Sequence, residues 1–303
     1  MKTRPRPSSW RLSATRTLEL EPWCLMGILN ATPDSFSDGG VHLDPVRAAE
    51  AGVAMVEAGA TILDVGGEST RPGAERVDVD HQIARVVPVI SELRGRRTTE
   101  RIAITVDTTR AAVADAALAA GADAINDVSA GTEDPEMLAL AADRGVGIIL
   151  MHRLRPPDQD VYSDRYETPP AYEDVVSDVR EHLLSRVAAA IEAGVDSSMI
   201  AVDPGLGFGK SVAQNLALLR GLHRLVGDGR PVLVGASRKS FLGALTGAKD
   251  PVDRDGESVA AAIEAWRRGA AVLRVHDVAV HQRSIRIAEA IEDRGDQPAE
   301  RSE

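Results

Sequence analysis

Asp107, Asn126 and Asp203 each close a short apolar run: Ile102–Val106, Ala124–Ile125 and Met199–Val202 respectively. Two carboxylates and an amide facing one space can read a flat heterocycle with an amino-pyrimidine edge, because a carboxylate accepts two parallel N–H bonds from such an edge. A second group is cationic. Arg274 and His276 lie two apart in one run, so they point to the same side of a strand. With Lys239 and Arg71 they bring guanidinium, imidazole and ammonium together, a set suited to phosphate or diphosphate. The alternative use of Arg274 is a structural ion pair with Asp64 or Asp277. Any single Asp or Asn ahead of a helix is also an ordinary N-cap.

Several chemistries are excluded by spacing. Three loops are rich in glycine and polar groups: Gly66–Gly73, Asp203–Lys210 and Gly235–Ser240. A P-loop requires glycine five residues before Gly209, where Pro204 stands, and the series Gly205, Gly207, Gly209 misses the dinucleotide pattern. Metal-hydrolase barrels need His-X-His after their first strand, and here the residues are Asn30-Ala31-Thr32. Neither Cys-X-X-Cys, His-Glu-X-X-His nor Gly-X-Ser-X-Gly occurs, which argues against zinc and against a serine nucleophile elbow. His152 reads as a core or supporting histidine rather than a metal ligand.

The elements that position these residues follow one recurring pattern. An alanine-rich amphipathic segment ends at glycine, and a β-branched run then stops at a polar residue. Gly59, Gly121, Gly145, Gly194 and Gly269 are the glycines, and Asp64, Asn126, His152, Asp203 and His276 the polar stops. Each glycine is expected just past a helix end, and each run is a strand buried on both faces. Cys24–Leu29 ending at Asn30, Ile102–Val106 ending at Asp107, and Val232–Gly235 leading to Ser237 complete eight strand–helix units. The expected fold is an α/β (β/α)₈ TIM barrel, whose strand ends share one rim. The alternative, an open doubly wound sheet, lacks its dinucleotide fingerprint.

The chain has 303 residues, 35 basic and 46 acidic, for a net charge of −11. Hydrophobic residues make up 44% and aromatics 3%, so the core is aliphatic. The acidic balance argues against binding nucleic acid through phosphates, and so few aromatics argue against stacking single strands. No run reaches the ~18 apolar residues of a membrane span, and a single cysteine, Cys24, favours a reducing, cytoplasmic setting. The boundaries expected are a basic, mobile extension over 1–22, a barrel over 23–292 and a polar tail over 293–303. The basic extension also has the composition of a transit peptide, although Pro5 and Pro7 spoil an amphipathic helix.

Two long stretches carry a family resemblance. Met26-Gly27-Ile28-Leu29-Asn30-Ala31-Thr32-Pro33-Asp34-Ser35-Phe36-Ser37-Asp38-Gly39-Gly40 resembles the first signature of dihydropteroate synthases, and Asp64-Val65-Gly66-Gly67-Glu68-Ser69-Thr70-Arg71-Pro72-Gly73 resembles the second. Val106-Asp107-Thr108, Ile125-Asn126-Asp127, Asp203-Pro204-Gly205, Ser237-Arg238-Lys239-Ser240 and Arg274-Val275-His276-Asp277 follow in order. The resemblance spans Trp23 to Glu292. It implies a pterin-binding TIM barrel that condenses 6-hydroxymethyl-7,8-dihydropterin diphosphate with p-aminobenzoate in folate biosynthesis.

Position by position, the resemblance implies that Asp107, Asn126, Asp203 and Lys239 hold the pterin. Thr70, Arg274 and His276 would contact the diphosphate, with Asn30 as ligand of a Mg²⁺ that bridges it. Phe36, Pro72, Phe208 and Ser240 would wall the p-aminobenzoate pocket, and Asp38 and Arg71 would belong to a closing pair of loops. A homodimer is also implied. The chain departs from the family after Met151-His152, where a glycine is usual and Arg153-Leu154-Arg155-Pro156-Pro157 stands. The segment through Pro170 is expected to be either an exposed insertion or a lid or subunit contact. Two rival functions share the scaffold: a pterin-binding methyltransferase domain, which needs neither the Ser69–Pro72 loop nor the Arg274/His276 pair, and a non-catalytic pterin-binding paralogue.

Overall fold

A computed structural model describes residues 7–32 and 44–292. The chain enters through a hairpin of β1 (Ser9–Arg11) and β2 (Thr17–Glu19). Strand and helix then alternate: β3 (Cys24–Asn30), α1 (Pro45–Glu57), β4 (Ile62–Gly66), α2 (Val79–Arg94), β5 (Ala103–Asp107), α3 (Ala111–Ala119), β6 (Ala124–Asp127) and α4 (Met137–Arg144). The second half comprises β7 (Gly147–Met151), α5 (Val175–Glu192), β8 (Ile200–Asp203), α6 (Val212–Gly221), α7 (His223–Val226), β9 (Leu233–Val234), α8 (Ser240–Thr246), α9 (Asp255–Arg267), β10 (Val272–Val275) and α10 (Val278–Glu292).

Eight strands pair in parallel in the order β8-β7-β6-β5-β4-β3-β10-β9. A parallel bridge between Val202 and Val232 joins the two ends into a ring, and the Val202 amide donates to Pro231 at 3.0 Å. This is the expected (β/α)₈ barrel. The five helix-closing glycines all take positive φ, as the recurring pattern predicts.

Strand alternation divides the barrel into two environments. One set of side chains, including Leu25, Leu63, Ile104, Ile125, Ile148, Ile200 and Leu273, packs against the surrounding helices. The other set, Met26, Ile62, Ala103, Ala124, Ile149, Ala201 and Val272, fills the interior. Two residues farther along each strand, a step that keeps the same face, come Ile28, Asp64, Thr105, Asn126, Met151, Asp203 and Arg274. The barrel interior is therefore apolar at one end and polar at the other. Register sets Asn30 beside Gly66, Gly66 beside Asp107 and Asp107 beside Asn126.

The helix caps come from other residues. Asp44, Asp78, Asp174 and Ser211 accept the first-turn amides of α1, α2, α5 and α6. The residue before α3 gives no side-chain cap, although Asp107 is nearby. Asp277 serves as a cap, accepting from the Val280 amide at 3.0 Å. Capping thus does not account for the strand-end acids.

The N-terminal segment differs from the mobile extension that its basic composition suggests. Residues 9–19 form a hairpin that seals the apolar end of the barrel. Trp10, Leu12 and Leu20 are buried against Ile149, Ala201 and Val272. The Trp10 indole donates to the Met199 carbonyl at 2.9 Å, and the Gly147 amide donates to Leu12 at 2.8 Å. Apolar burial outweighs the local charge, which stays at the surface, where Arg11 pairs with Asp196 at 2.8 Å.

Trp10→Ala is expected to lower stability by ~3–5 kcal/mol, the usual cost of emptying a buried aromatic site. Urea unfolding should show a lower midpoint at unchanged slope. An unchanged midpoint would mean that the hairpin contributes nothing to the core.

Candidate active site

The polar end of the barrel is organised by a carboxylate with no solvent contact. Asp64 is 0% exposed. Its Oδ1 accepts from the Thr105 hydroxyl, and its Oδ2 accepts from the Asn126 amide at 3.0 Å and from Arg274 Nε at 2.6 Å. Arg274 also donates through Nη2 to Asp107 Oδ2 at 2.7 Å. Side chains from β4, β5, β6 and β10 are thereby tied across the interior. The ion pair considered from sequence for Arg274 is real, and it includes Asp107 as well as Asp64.

Asp107 Oδ1 is buried without a hydrogen-bond partner among the described residues. Burial pushes the Asp107 carboxyl well above the ordinary carboxylate range, against the pull of Arg274. Asp203 is held similarly. Its Oδ1 accepts from the Gly205 amide at 2.7 Å, and burial raises its carboxyl to about 6. Asp107 thus keeps one unfilled acceptor, and it lines a small pocket beside the main cavity.

A cavity of about 630 Å³ opens above this layer, with Asn30, Thr70, Arg71, Pro72, Lys239, Ser240, Arg274 and His276 in its wall. Asp107 and Thr70 line a small adjoining pocket together with Arg153. Asn126, Asp203 and Phe208 are not in its wall; each is almost fully buried. Phe36 and Asp38 lie outside the described residues. Burial beside Arg274 draws the Lys239 ammonium down to about 8. His276 sits 3.0 Å through Nδ1 from the Ser237 hydroxyl. Burial and the neighbouring Arg274 bring its imidazole to about 3. It is therefore neutral near pH 7, whereas Arg274 carries a full charge.

The loop after β8 is braced from below. Lys210 is fully buried, and its ammonium donates to the Gly205 and Phe208 carbonyls, both at 2.8 Å. It also lies 2.9 Å from Nδ1 of His152. Lys210 thus closes a loop instead of binding phosphate, in keeping with the failed P-loop spacing. His152 is a buried supporting residue, driven by desolvation to about 2. A Cβ on Gly205 would lie 1.9 Å from the His152 carbonyl oxygen, and its φ is +66°, so only glycine fits there. Phe208, expected as a pocket wall, lies under Lys239, whose ammonium is 4.0 Å from the ring centroid.

The pterin binding enzyme family profile matches residues 26–276. Dihydropteroate synthase from Mycobacterium leprae is 48% identical over 267 residues, covering 86% of this chain and 90% of that protein. The Synechocystis dihydropteroate synthase is 43% identical over 268 residues, covering 88% and 89%. The chain belongs to the dihydropteroate synthase family. Two solved Xanthomonas albilineans dihydropteroate synthases superpose closely on it. One, with 4-aminobenzoic acid, gives a TM-score of 0.84 at 44% identity over 94% of this chain and 98% of that one. The other, in complex with 7,8-dihydropteroate, gives 0.80 at 42% identity over 93% and 98%.

The geometry adds residues that sequence reasoning left without a role. Asp64 is visible in sequence as a strand-end acid, but its partners come from other strands. Arg153 and the residues after it carry no motif. In the structure Arg153 donates through Nη2 to Glu133 at 2.5 Å, while Arg76 bonds both Glu133 and Glu68. This chain of ion pairs ties the loops after β4, β6 and β7 around the rim.

The donor set also bears on a metal. Among the described residues there is no group of three or more His, Cys, Asp or Glu side chains placed to hold an ion. Asn30 presents one neutral amide to the cavity. Mg²⁺ commonly takes one or two protein oxygens and fills the rest with phosphate and water. The residues therefore fit an ion that arrives with a diphosphate.

Asp64→Asn should cost ~3–5 kcal/mol in folding free energy, because it removes the charge that offsets Arg274 in the interior. Adding Arg274→Met to that variant should cost far less than it does alone. Denaturant titrations of the cycle measure the coupling, and simple additivity would show that the pair is not interacting.

Proposed function

We propose that the chain condenses 6-hydroxymethyl-7,8-dihydropterin diphosphate with p-aminobenzoate, giving 7,8-dihydropteroate and diphosphate. One observation carries this reading. Two buried carboxylates, Asp107 with one unpartnered oxygen and Asp203, share the polar end of the barrel with Arg274, Lys239 and His276, which line the cavity. A fused heterocycle with N–H donors at one end and an anionic leaving group at the other matches that polarity. The ligands of the Xanthomonas structures support it.

Asp203, Asp107 and Asn126 would take the pterin edge, with Lys239 closing over it. Thr70, Arg274 and His276 would face the diphosphate. The methylene C–O bond breaks, and the bonding electrons leave with diphosphate. Buried carboxylates at Asp107 and Asp203 stabilise the positive charge left on the pterin, as fixed charges do in a dry site. The amine lone pair of p-aminobenzoate then forms the C–N bond, and its proton passes to solvent. No enzyme nucleophile is needed. Mg²⁺, held on the protein side by Asn30, would neutralise charge on the leaving group. Phe36, Pro72, Phe208 and Ser240 would frame the arylamine, and Arg71 and Asp38 would close over it and exclude water.

The small molecules named are the partners proposed, together with a second copy of the chain. Ile287 and Ile291, one turn apart on α10 and 65% and 62% exposed, offer apolar surface for a homodimer. A cytoplasmic setting is proposed on the single buried cysteine, Cys24. No helix among the described residues is long and apolar enough to cross a membrane.

The test is incubation with the pterin diphosphate, labelled p-aminobenzoate and Mg²⁺. Labelled dihydropteroate is the expected product. Retained pterin binding without product would favour a non-catalytic pterin-binding protein.

A pH dependence follows from Asp203. Its carboxyl is raised, so it takes up a proton as pH falls through about 6 and no longer accepts two N–H bonds. Affinity for 6-hydroxymethylpterin should begin to fall below pH 7, where Asp107 takes up a proton, and fall more steeply below 6 as Asp203 follows. Asp203→Asn should weaken binding at pH 7 and flatten that fall. Calorimetry from pH 5 to 7 measures both, and an unchanged slope in the variant would remove Asp203 from the pterin grip.

A further inference from the structure

The segment after β7 crosses the rim and is fastened to it. Pro157, Asp160 and Ser163 are buried. The Pro157 carbonyl accepts from the Gly73 amide at 2.8 Å, on the loop after β4. Asp160 Oδ2 accepts from the Gly209 amide at 2.7 Å, and its Oδ1 bonds the Tyr166 hydroxyl. Tyr172 donates to the Gly209 carbonyl at 2.9 Å. Ser163 is pinned twice: its amide donates to the Ser240 hydroxyl at 3.1 Å, and its own hydroxyl accepts from Asn215 at 3.0 Å. The segment is thus neither a loose insertion nor an ornament of the surface.

Between the two anchors at Asp160 and Ser163 stands Tyr162, whose side chain lines the main cavity in company with Ser240, Lys239 and Gly207. The ring is held on one face by Arg165, whose guanidinium carbon is 5.2 Å from the centroid, while the Arg165 amide donates to the Tyr162 carbonyl at 2.8 Å. We infer that Tyr162 is a specificity-determining residue for the arylamine substrate, an aromatic wall that this segment adds to the subsite at Ser240. The inference rests on the proposed reaction. A fixed aromatic face favours a flat aryl ring, since its orientation is settled before the ligand arrives.

Steady-state kinetics with both substrates varied tests it. Tyr162→Ala is expected to raise the KM for p-aminobenzoate about tenfold, a change of ~1.4 kcal/mol, while the KM for the pterin diphosphate moves less than twofold. Tyr162→Phe, which keeps the ring, should recover most of that loss. A p-aminobenzoate KM unmoved by Tyr162→Ala would overturn the inference. So would equal rises in both KM values, which would mark a general loosening of the rim. Thermal unfolding of each variant separates such loosening from misfolding. If the unaltered protein makes no dihydropteroate, the reaction itself is misassigned; calorimetry of p-aminobenzoate on the unaltered and Tyr162→Ala proteins, with pyrophosphate present, then decides whether Tyr162 contacts an arylamine. Equal affinities there count against it.

Discussion

The polar end of this barrel depends on how the Asp64 charge is offset. A carboxylate without solvent contact is costly unless a positive partner and hydrogen bonds replace its water. Arg274 supplies the charge and Asn126 and Thr105 supply the bonds. Arg274 also donates through Nη2 to Asp107, whose other oxygen stays open. The interior is thus held in shape by internal pairs, while the atoms that face the cavity stay incompletely satisfied. A structure that satisfied every buried group would have nothing left with which to recognise a ligand.

That incompleteness explains the shifted acidities. Asp107 and Asp203 are raised and Lys239 is lowered, in each case mainly by burial. His276 is neutral in the midst of cations. Each group is ready to change its charge balance when a ligand of complementary charge enters, since an anion beside His276 or an N–H edge beside Asp203 favours the charged form. The expected division of labour, acids for the pterin and cations for the diphosphate, meets at the Arg274–Asp107 contact. The two halves of the site therefore cannot act independently, and losing Arg274 would also leave two buried carboxylates unneutralised.

Much of this was legible in the sequence, for a definite reason. The β-branched runs, the closing glycines and the polar stops are local features, and a barrel turns local alternation into a shared interior. Asn30, Asp107, Asn126, Asp203 and Arg274 are all inward-facing by parity with the apolar residues two or four positions earlier. Arg274 was one partner of Asp64 that the sequence offered, but Asn126 and Thr105 were not legible, because they depend on register among strands far apart in the chain. The hairpin was obscured by its basic residues and by the prolines ahead of it, although the alternation of Trp10 with Leu12, and of Leu18 with Leu20, is a signal of a two-sided strand. Phe36 and Asp38 lie outside the described residues, so their expected roles rest on the resemblance alone.

The segment from Arg153 to Tyr172 is the hardest case for sequence reasoning and the most instructive. It has no periodicity, and its length and polarity read as surface. Its anchors are nonlocal: Glu133, Gly73 and Gly209 come from the loops after β6, β4 and β8, and Asn215 and Ser240 from the starts of α6 and α8. A barrel rim built from separate loops has no intrinsic reason to keep them in step. Bonds that run across several loops supply one, since each loop then loses freedom only once and shares the benefit with its neighbours. The bonds from this segment join the loops after β4, β6 and β8 to one another, and Tyr162 lies midway along the piece that joins them.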